Sequence, residues 1–194
     1  MGPSKILLAG ESWVTAATHI KGFDQFPTVT FHRGADALAD ALAALHDVGY
    51  LHGDVKPSNI GFTAAGSPKL LDFGLAREAN DGDAIVGGTL RYASPEVLCG
   101  HPADEADDVW SLCVVLYEIS TGEHPFAGGG VDEVTRRIRR RRVGRHGGRP
   151  TAERRPASPA AAFAASVLSA ARPERPATAR AFADALRAVA GDSA

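Results

Sequence analysis

Apolar residues recur along this chain with two different periods, and the changes between them mark its elements. Ser4 to Ala9 reads as a buried strand closed by Gly10. From Gly34 to Val48 the pattern turns helical: Leu38, Leu42 and Leu45 fall on one face among alanines, with Asp36 and Asp40 opposite, and Gly49 ends the helix. Two short runs, Gly49-Tyr50-Leu51 and Lys69-Leu70-Leu71, read as strands, and Thr63 to Pro68, with Gly66, supplies the hairpin turn ahead of the second. Asp104 to Thr121 is a long helix. Val109, Leu112, Leu116 and Ile119 form its core stripe, acidic residues fill its first turns, and Gly122 to Phe126 ends it. A shorter amphipathic helix from Val131 to Arg142 trails into arginines and a loop from Gly144 to Pro159. Two alanine-rich helices, Ala160 to Ala171 and Ala177 to Val189, close the chain around Arg172-Pro173-Glu174-Arg175-Pro176.

Composition narrows the classes. A length of 194 residues suffices for one domain with a core, and a formal net charge of -2 gives no global pull toward nucleic acid or membrane. The arginine run after Val131 has no interleaved aromatics for base stacking, so it reads as a solvated helix end and no nucleic-acid partner is expected. Cys99 and Cys113 lack metal-ligand spacing and read as reduced thiols. Met1 to Gly10 lacks the features of a secretory signal, and the most apolar window, Leu112 to Ile119, is too short to span a bilayer. A soluble cytoplasmic protein without membrane contact is expected.

The chemistry concentrates in His52-Gly53-Asp54-Val55-Lys56-Pro57-Ser58-Asn59, followed downstream by Asp72-Phe73-Gly74. The pair resembles the catalytic loop and magnesium-binding triplet of bacterial-type serine/threonine protein kinases. Phosphoryl transfer needs a carboxylate beside the incoming hydroxyl, a cation on the moving phosphate, and oxygen ligands for magnesium. The resemblance implies Asp54 as base or hydroxyl orienter, Lys56 on the γ-phosphate, and Asn59 and Asp72 on magnesium, with ATP and Mg2+ as cofactors. His52 is implied to be structural.

Three further stretches carry the same resemblance. Gly88-Thr89-Leu90-Arg91-Tyr92-Ala93-Ser94-Pro95-Glu96 is similar to the segment that positions substrate, with Ser94 where alanine is usual. Thr89 is implied to bond Asp54 and Lys56, which points to a protein substrate with a Ser or Thr acceptor. In Asp108-Val109-Trp110-Ser111-Leu112, Asp108 is implied to hold the catalytic loop from beneath, with Cys113 replacing a glycine. Arg175, before Pro176, is implied to form a buried bidentate pair with Glu96. Gly53 stands where many kinases have a phosphate-reading arginine, and Leu75 to Gly88 contains no Ser, Thr or Tyr, so no switch by activation-segment phosphorylation is expected.

The beginning reads differently. Leu8-Ala9-Gly10-Glu11-Ser12-Trp13 and His19-Ile20-Lys21-Gly22-Phe23-Asp24 resemble the start of a glutamine-amidotransferase-like family, without a later cysteine in nucleophile context, and Glu11 and His19 are read as surface or structural. The expected organisation is an amidotransferase-like leader over residues 1–34 and a kinase catalytic domain, C-lobe only, over 35–194. No Gly-rich loop and no strand lysine of the kinase N-lobe is found upstream of Asp54. The fold class is α+β: a mainly helical kinase C-lobe with short hairpins, preceded by a strand-bearing leader. The leading function is a truncated Ser/Thr kinase, with a second chain as a partner that could complete the nucleotide site. The alternatives are an inactive kinase-like fragment or binding module, and a small-molecule phosphotransferase of the aminoglycoside type, which shares the His-Gly-Asp loop.

Overall fold

The computed structural model describes residues 14–15, 28–63, 65–79, 89–141, 143 and 159–191. Its elements are β1 (Val14–Thr15), α1 (Thr28–Asp47), β2 (Tyr50–Leu51), β3 (Ile60–Phe62), β4 (Pro68–Leu70), β5 (Arg77–Glu78), α2 (Glu105–Thr121), α3 (Val131–Arg139), α4 (Pro159–Ser169) and α5 (Ala179–Gly191). One antiparallel sheet has the order β1-β3-β4, with Val14 opposite Phe62 and Ile60 opposite Leu70; β2 and β5 form a second pair. The result is mixed helix and small sheets, consistent with a partial kinase fold. The expected strand from Ser4 to Ala9, together with Glu11 and His19, lies outside the described residues.

Helix α2 is the axis of the core. Its first turn is set by a capping box in which Asp104 accepts the Ala106 N–H at 2.9 Å and Asp107 accepts the Asp104 N–H at 2.8 Å. Gly122 ends it in the left-handed conformation, φ +71°. The expected core stripe holds at Val109, Leu112 and Leu116, but burial extends all round the helix, through Trp110, Cys113, Val114 and Val115. The reason is packing on several sides, by α4, α1 and α5. Complete burial also pushes the Cys113 thiol well above its usual range, so it acts as a small hydrophobe.

Helix α1 starts at Thr28, six residues before the expected Gly34. Thr28, Val29 and Thr30 are β-branched and weigh against helix by propensity, so the sequence does not announce this start. On its inner face Leu38 and Leu42 are buried, Leu45 is half-buried, and Asp40 is exposed. Arg187 of α5 reaches Asp40 at 2.5 and 2.6 Å, an exposed pair that stitches the two helices.

Helix α3 stops at Arg139 rather than Arg142, and Arg141 takes φ +49°. Successive like charges repel along a helix, while Val134 and Ile138 alone reach the core. At the C-terminus, α5 begins two residues later than the pattern suggests because Thr178 caps it, its Oγ1 accepting the Ala181 N–H at 3.1 Å. Among the described residues no helix is long and apolar enough to cross a membrane.

Candidate active site

The loop between β2 and β3 is held at both ends before it presents any chemistry. Leu51, Val55 and Ile60 are buried, and the 3-10 turn Pro57–Asn59 starts on a proline that fixes its φ. From below, Asp108 accepts the backbone N–H of His52 through Oδ2 at 2.8 Å and of Gly53 through Oδ1 at 2.9 Å. His46 of α1 adds a contact from its Nε2 to Asp108 Oδ2 at 2.9 Å. Such a carboxylate converts loop backbone into a fixed platform.

On that platform Asp54, Lys56 and Asn59 converge. Lys56 Nζ donates to Asp54 Oδ2 at 2.5 Å and to Thr89 Oγ1 at 3.2 Å. Asn59 Nδ2 donates to the Asp54 carbonyl at 2.9 Å and to Asp54 Oδ2 at 3.0 Å. Thr89 therefore meets Lys56 directly, whereas the expected direct bond to Asp54 is absent among the described residues; the lysine bridges the two. Both side-chain donors meet Oδ2 of Asp54, and none to its Oδ1 is found among the described residues.

Asp72 is tied in through its neighbour. The Leu71 N–H donates to the Asn59 carbonyl at 2.8 Å, and His52 Nε2 lies 3.2 Å from the Leu71 carbonyl. Fully buried, His52 thus joins the two motifs, with the Phe73 ring 5.2 Å from its own. Asp72 takes φ +60°, a left-handed conformation that an aspartate tolerates better than most residues, and its Oδ1 accepts the Gly74 N–H at 3.3 Å. Asp72, Phe73 and Gly74 are exposed.

The donor set fits magnesium. The buried Asn59 gives its amide nitrogen to Asp54 and its Oδ1 accepts only a long bond from Ser58 Oγ at 3.5 Å, and the Asp72 carboxylate is exposed with one weak internal bond. Two hard oxygen donors suit an ion that keeps water and phosphate as its other ligands. No cluster of three or more acidic, histidine or cysteine ligands occurs among the described residues.

Beside Asp54 a groove runs past Leu90, Ala93, Val97, Leu98 and Val131. Its wall is braced by contacts that spacing alone does not reveal. Ser94, the departure from alanine, is buried, and its Oγ accepts the Val97 N–H at 3.1 Å. Burial pushes the Asp107 carboxyl up, and hydrogen bonds from Ser94 and the Asp104 backbone and the charge of Arg172 work against that rise. Tyr92 donates to Glu118 Oε2 at 2.7 Å; burial, then Glu118, holds the phenol far above its usual range. Arg175 donates to both Glu96 oxygens, at 2.9 and 3.2 Å, and its guanidinium stacks 4.5 Å from the Trp110 ring. Arg172 joins the same network through Asp104 and Asp107.

A platform loop thus clusters Asp54, Lys56 and Asn59 above the buried Asp108. The protein kinase domain family matches residues 11–186, and the chain belongs to that family. It is 44% identical over 97 residues to the probable serine/threonine-protein kinase PknB of Corynebacterium glutamicum, covering 47% of this chain and 15% of that protein. It is also 44% identical over 109 residues to the serine/threonine-protein kinase PknB of Mycobacterium tuberculosis, covering 52% of this chain and 17% of that protein. A human ribosomal protein S6 kinase-related protein is 43% identical over 104 residues, covering 53% of this chain and 25% of that protein. The chain thus spans a quarter or less of the length of these relatives.

The match corrects the reading of the beginning. Its range includes Glu11-Ser12-Trp13 and His19 to Asp24, which had suggested an amidotransferase-like family, so that resemblance is unsupported. Between these two segments, which lie outside the described residues, Val14 and Thr15 pair with β3, the strand leaving the catalytic loop.

Proposed function

We propose that the chain is the C-terminal lobe of a serine/threonine protein kinase, transferring the ATP γ-phosphate to a protein Ser or Thr. The convergence of Lys56 and Asn59 on one oxygen of Asp54, with Thr89 on the same lysine, carries this reading. Asp54 Oδ1 accepts and orients the substrate hydroxyl, taking its proton as the oxygen attacks. Lys56 sits two residues on, where it can leave Asp54 for the transferred phosphate. Asn59 and Asp72 would hold magnesium, which when bound neutralises phosphate charge. Positioning supplies most of the catalysis in this chemistry, so the rigidity that Asp108 gives the loop is functional as well as structural.

The Gly-rich loop and strand lysine of a kinase are not found in the residues before Asp54. Phe73 and Leu75, next to Asp72, are correspondingly exposed, 52% and 36%. A second protein surface covering them would complete the nucleotide site, and a chain lacking that cover would act as a binding module instead. The aminoglycoside-type reading is disfavoured by Thr89 on Lys56 and by the groove beside Asp54, which suits an extended peptide. Incubation with labelled Mg-ATP and a generic basic protein, followed by phosphoamino-acid analysis, tests the proposal. Label on Ser or Thr supports it; label only on small-molecule hydroxyls overturns it.

A further inference from the structure

We propose that His124 is a positioning residue for the wall of the groove beside Asp54, acting on the turn over residues 89–92; this rests on the reading of that groove as the seat of a peptide substrate. The sequence marks 122–126 only as the end of α2, yet His124 is 4% exposed and bonded through both ring nitrogens. Nε2 lies 3.0 Å from the Arg91 carbonyl oxygen, and Nδ1 lies 3.2 Å from the Phe126 backbone nitrogen. A carbonyl only accepts and a backbone N–H only donates, so the ring is neutral, with its proton on Nε2 and a lone pair on Nδ1. Held through Nδ1 to Phe126, whose ring stacks 5.7 Å from Trp110 in the core, the imidazole presents its Nε2–H as a donor at a fixed place.

The peptide group that receives this donor closes the turn. The Tyr92 N–H donates to the Thr89 carbonyl at 2.8 Å, and the Thr89 hydroxyl receives Lys56, the lysine on Asp54. The Arg91 carbonyl and the Tyr92 N–H belong to one planar unit, so that unit is gripped on both edges, by Thr89 and by His124. Beyond it, Ser111 donates to the Tyr92 carbonyl at 2.8 Å and the phenol donates to Glu118, which ties the far end to α2. Leu90, 51% exposed, lies inside the turn and lines the groove, so the tilt of the gripped unit sets how that side chain faces a substrate. An apolar side chain at 124 would fill the same space against the Tyr92 ring, 5.4 Å away. It would release both the Arg91 carbonyl and the buried Phe126 N–H, and those two matched bonds separate positioning from filling.

The test compares His124→Asn with His124→Gln. Asn keeps an oxygen for the N–H two residues on, as in an Asx turn, but is too short to reach Arg91; Gln keeps the reach and the donor. In the Asn variant, hydrogen exchange at the Tyr92 amide is expected to speed up about 5-fold, the size of one neutral hydrogen bond, while the Phe126 amide and the core amides of α4 keep their rates. With a generic basic protein and Mg-ATP, the KM for the protein is expected to rise by a similar factor with kcat and the KM for ATP unchanged, and Gln to restore both readings. NMR of the wild type with isotope-labelled histidine is expected to report the Nε2–H tautomer for His124, a result that needs no variant to fold. A charged ring or a proton on Nδ1 overturns the proposal. So does an unchanged Tyr92 rate in the folded Asn variant, an unchanged KM for the protein in an active one, or an equal loss in Asn and Gln, which assigns the effect to ring packing. Exchange and tautomer are read without turnover, so a chain that transfers no phosphate defeats the kinase reading while leaving the grip of His124 on the turn to be decided by those two.

Discussion

Asp108 grips Gly53 by its backbone: Oδ1 accepts the Gly53 N–H at 2.9 Å while Oδ2 takes the neighbouring His52 N–H at 2.8 Å. Asp108→Ala strands these two donors and that of His46 in a buried site. At about 1–3 kcal/mol for each stranded group, the variant should lose roughly 3 kcal/mol or more. Thermal unfolding should then shift down by about 6–12 °C for a chain of this size. A shift below about 2 °C would mean that the platform is held by something else.

Gly53 itself adopts φ +75°, and a Cβ placed there would lie 3.0 Å from the Leu75 carbonyl oxygen. Gly53→Ala should cost roughly 1–2 kcal/mol from the backbone alone, read from chemical denaturation. Because position 53 carries no cation, and 75–88 no hydroxyl, phosphatase treatment of active protein should leave its rate unchanged. An activating phosphate on Thr89 would contradict that.

The Glu96–Arg175 pair predicts an acid dependence. Burial pushes Glu96 up, but the hydrogen bond and charge of Arg175 outweigh it and hold the carboxyl below its ordinary 4.5. A depressed carboxyl contributes stability above its unfolded value and loses it as pH falls through the folded one. Arg175→Met should cost roughly 1–3 kcal/mol at neutral pH, since it leaves the half-buried Glu96 carboxylate with only the longer Arg172 contact at 3.6 Å. The deficit should shrink as the pH drops below 4.5, where Glu96 takes up a proton. Urea unfolding at neutral and acid pH measures both; a deficit independent of pH would assign the loss to packing on Trp110.

Glu118 has the opposite sign. Burial raises its carboxyl above the ordinary value, against the Tyr92 hydrogen bond and the charge of Arg91. Stability is therefore lost as pH rises through the window between the unfolded and the folded values. Glu118→Gln keeps an acceptor for Tyr92 and abolishes that loss, so wild type and variant should diverge with rising pH, the variant being the more stable. Parallel melting curves across the same pH range would show that the carboxylate carries no penalty.

Much of this site is legible in sequence because its chemistry is contiguous. Asp54, Lys56 and Asn59 share one short loop, and Asp72 follows one hairpin later. Glu96 and Arg175 could be paired only through the family resemblance, 79 residues apart. His46 and the Ser94 hydroxyl give no such signal, since each acts through a partner made adjacent only by folding. Helix boundaries failed for local reasons: β-branched residues masked the start of α1, and charge repulsion shortened α3. The opening residues misled because a short similarity to another family was read without the pairing of β1 to β3.

Transfer of the γ-phosphate from labelled Mg-ATP to the chain itself or to a generic basic protein is the most direct test, with Asp72→Asn and Asp54→Asn as controls and circular dichroism to show that each remains folded. Label in the wild type that falls by at least about 100-fold in both variants is the predicted result, as expected when a metal ligand or the residue orienting the nucleophile is lost. Equal labelling by wild type and folded variants would contradict the assignment of Asp54 and Asp72.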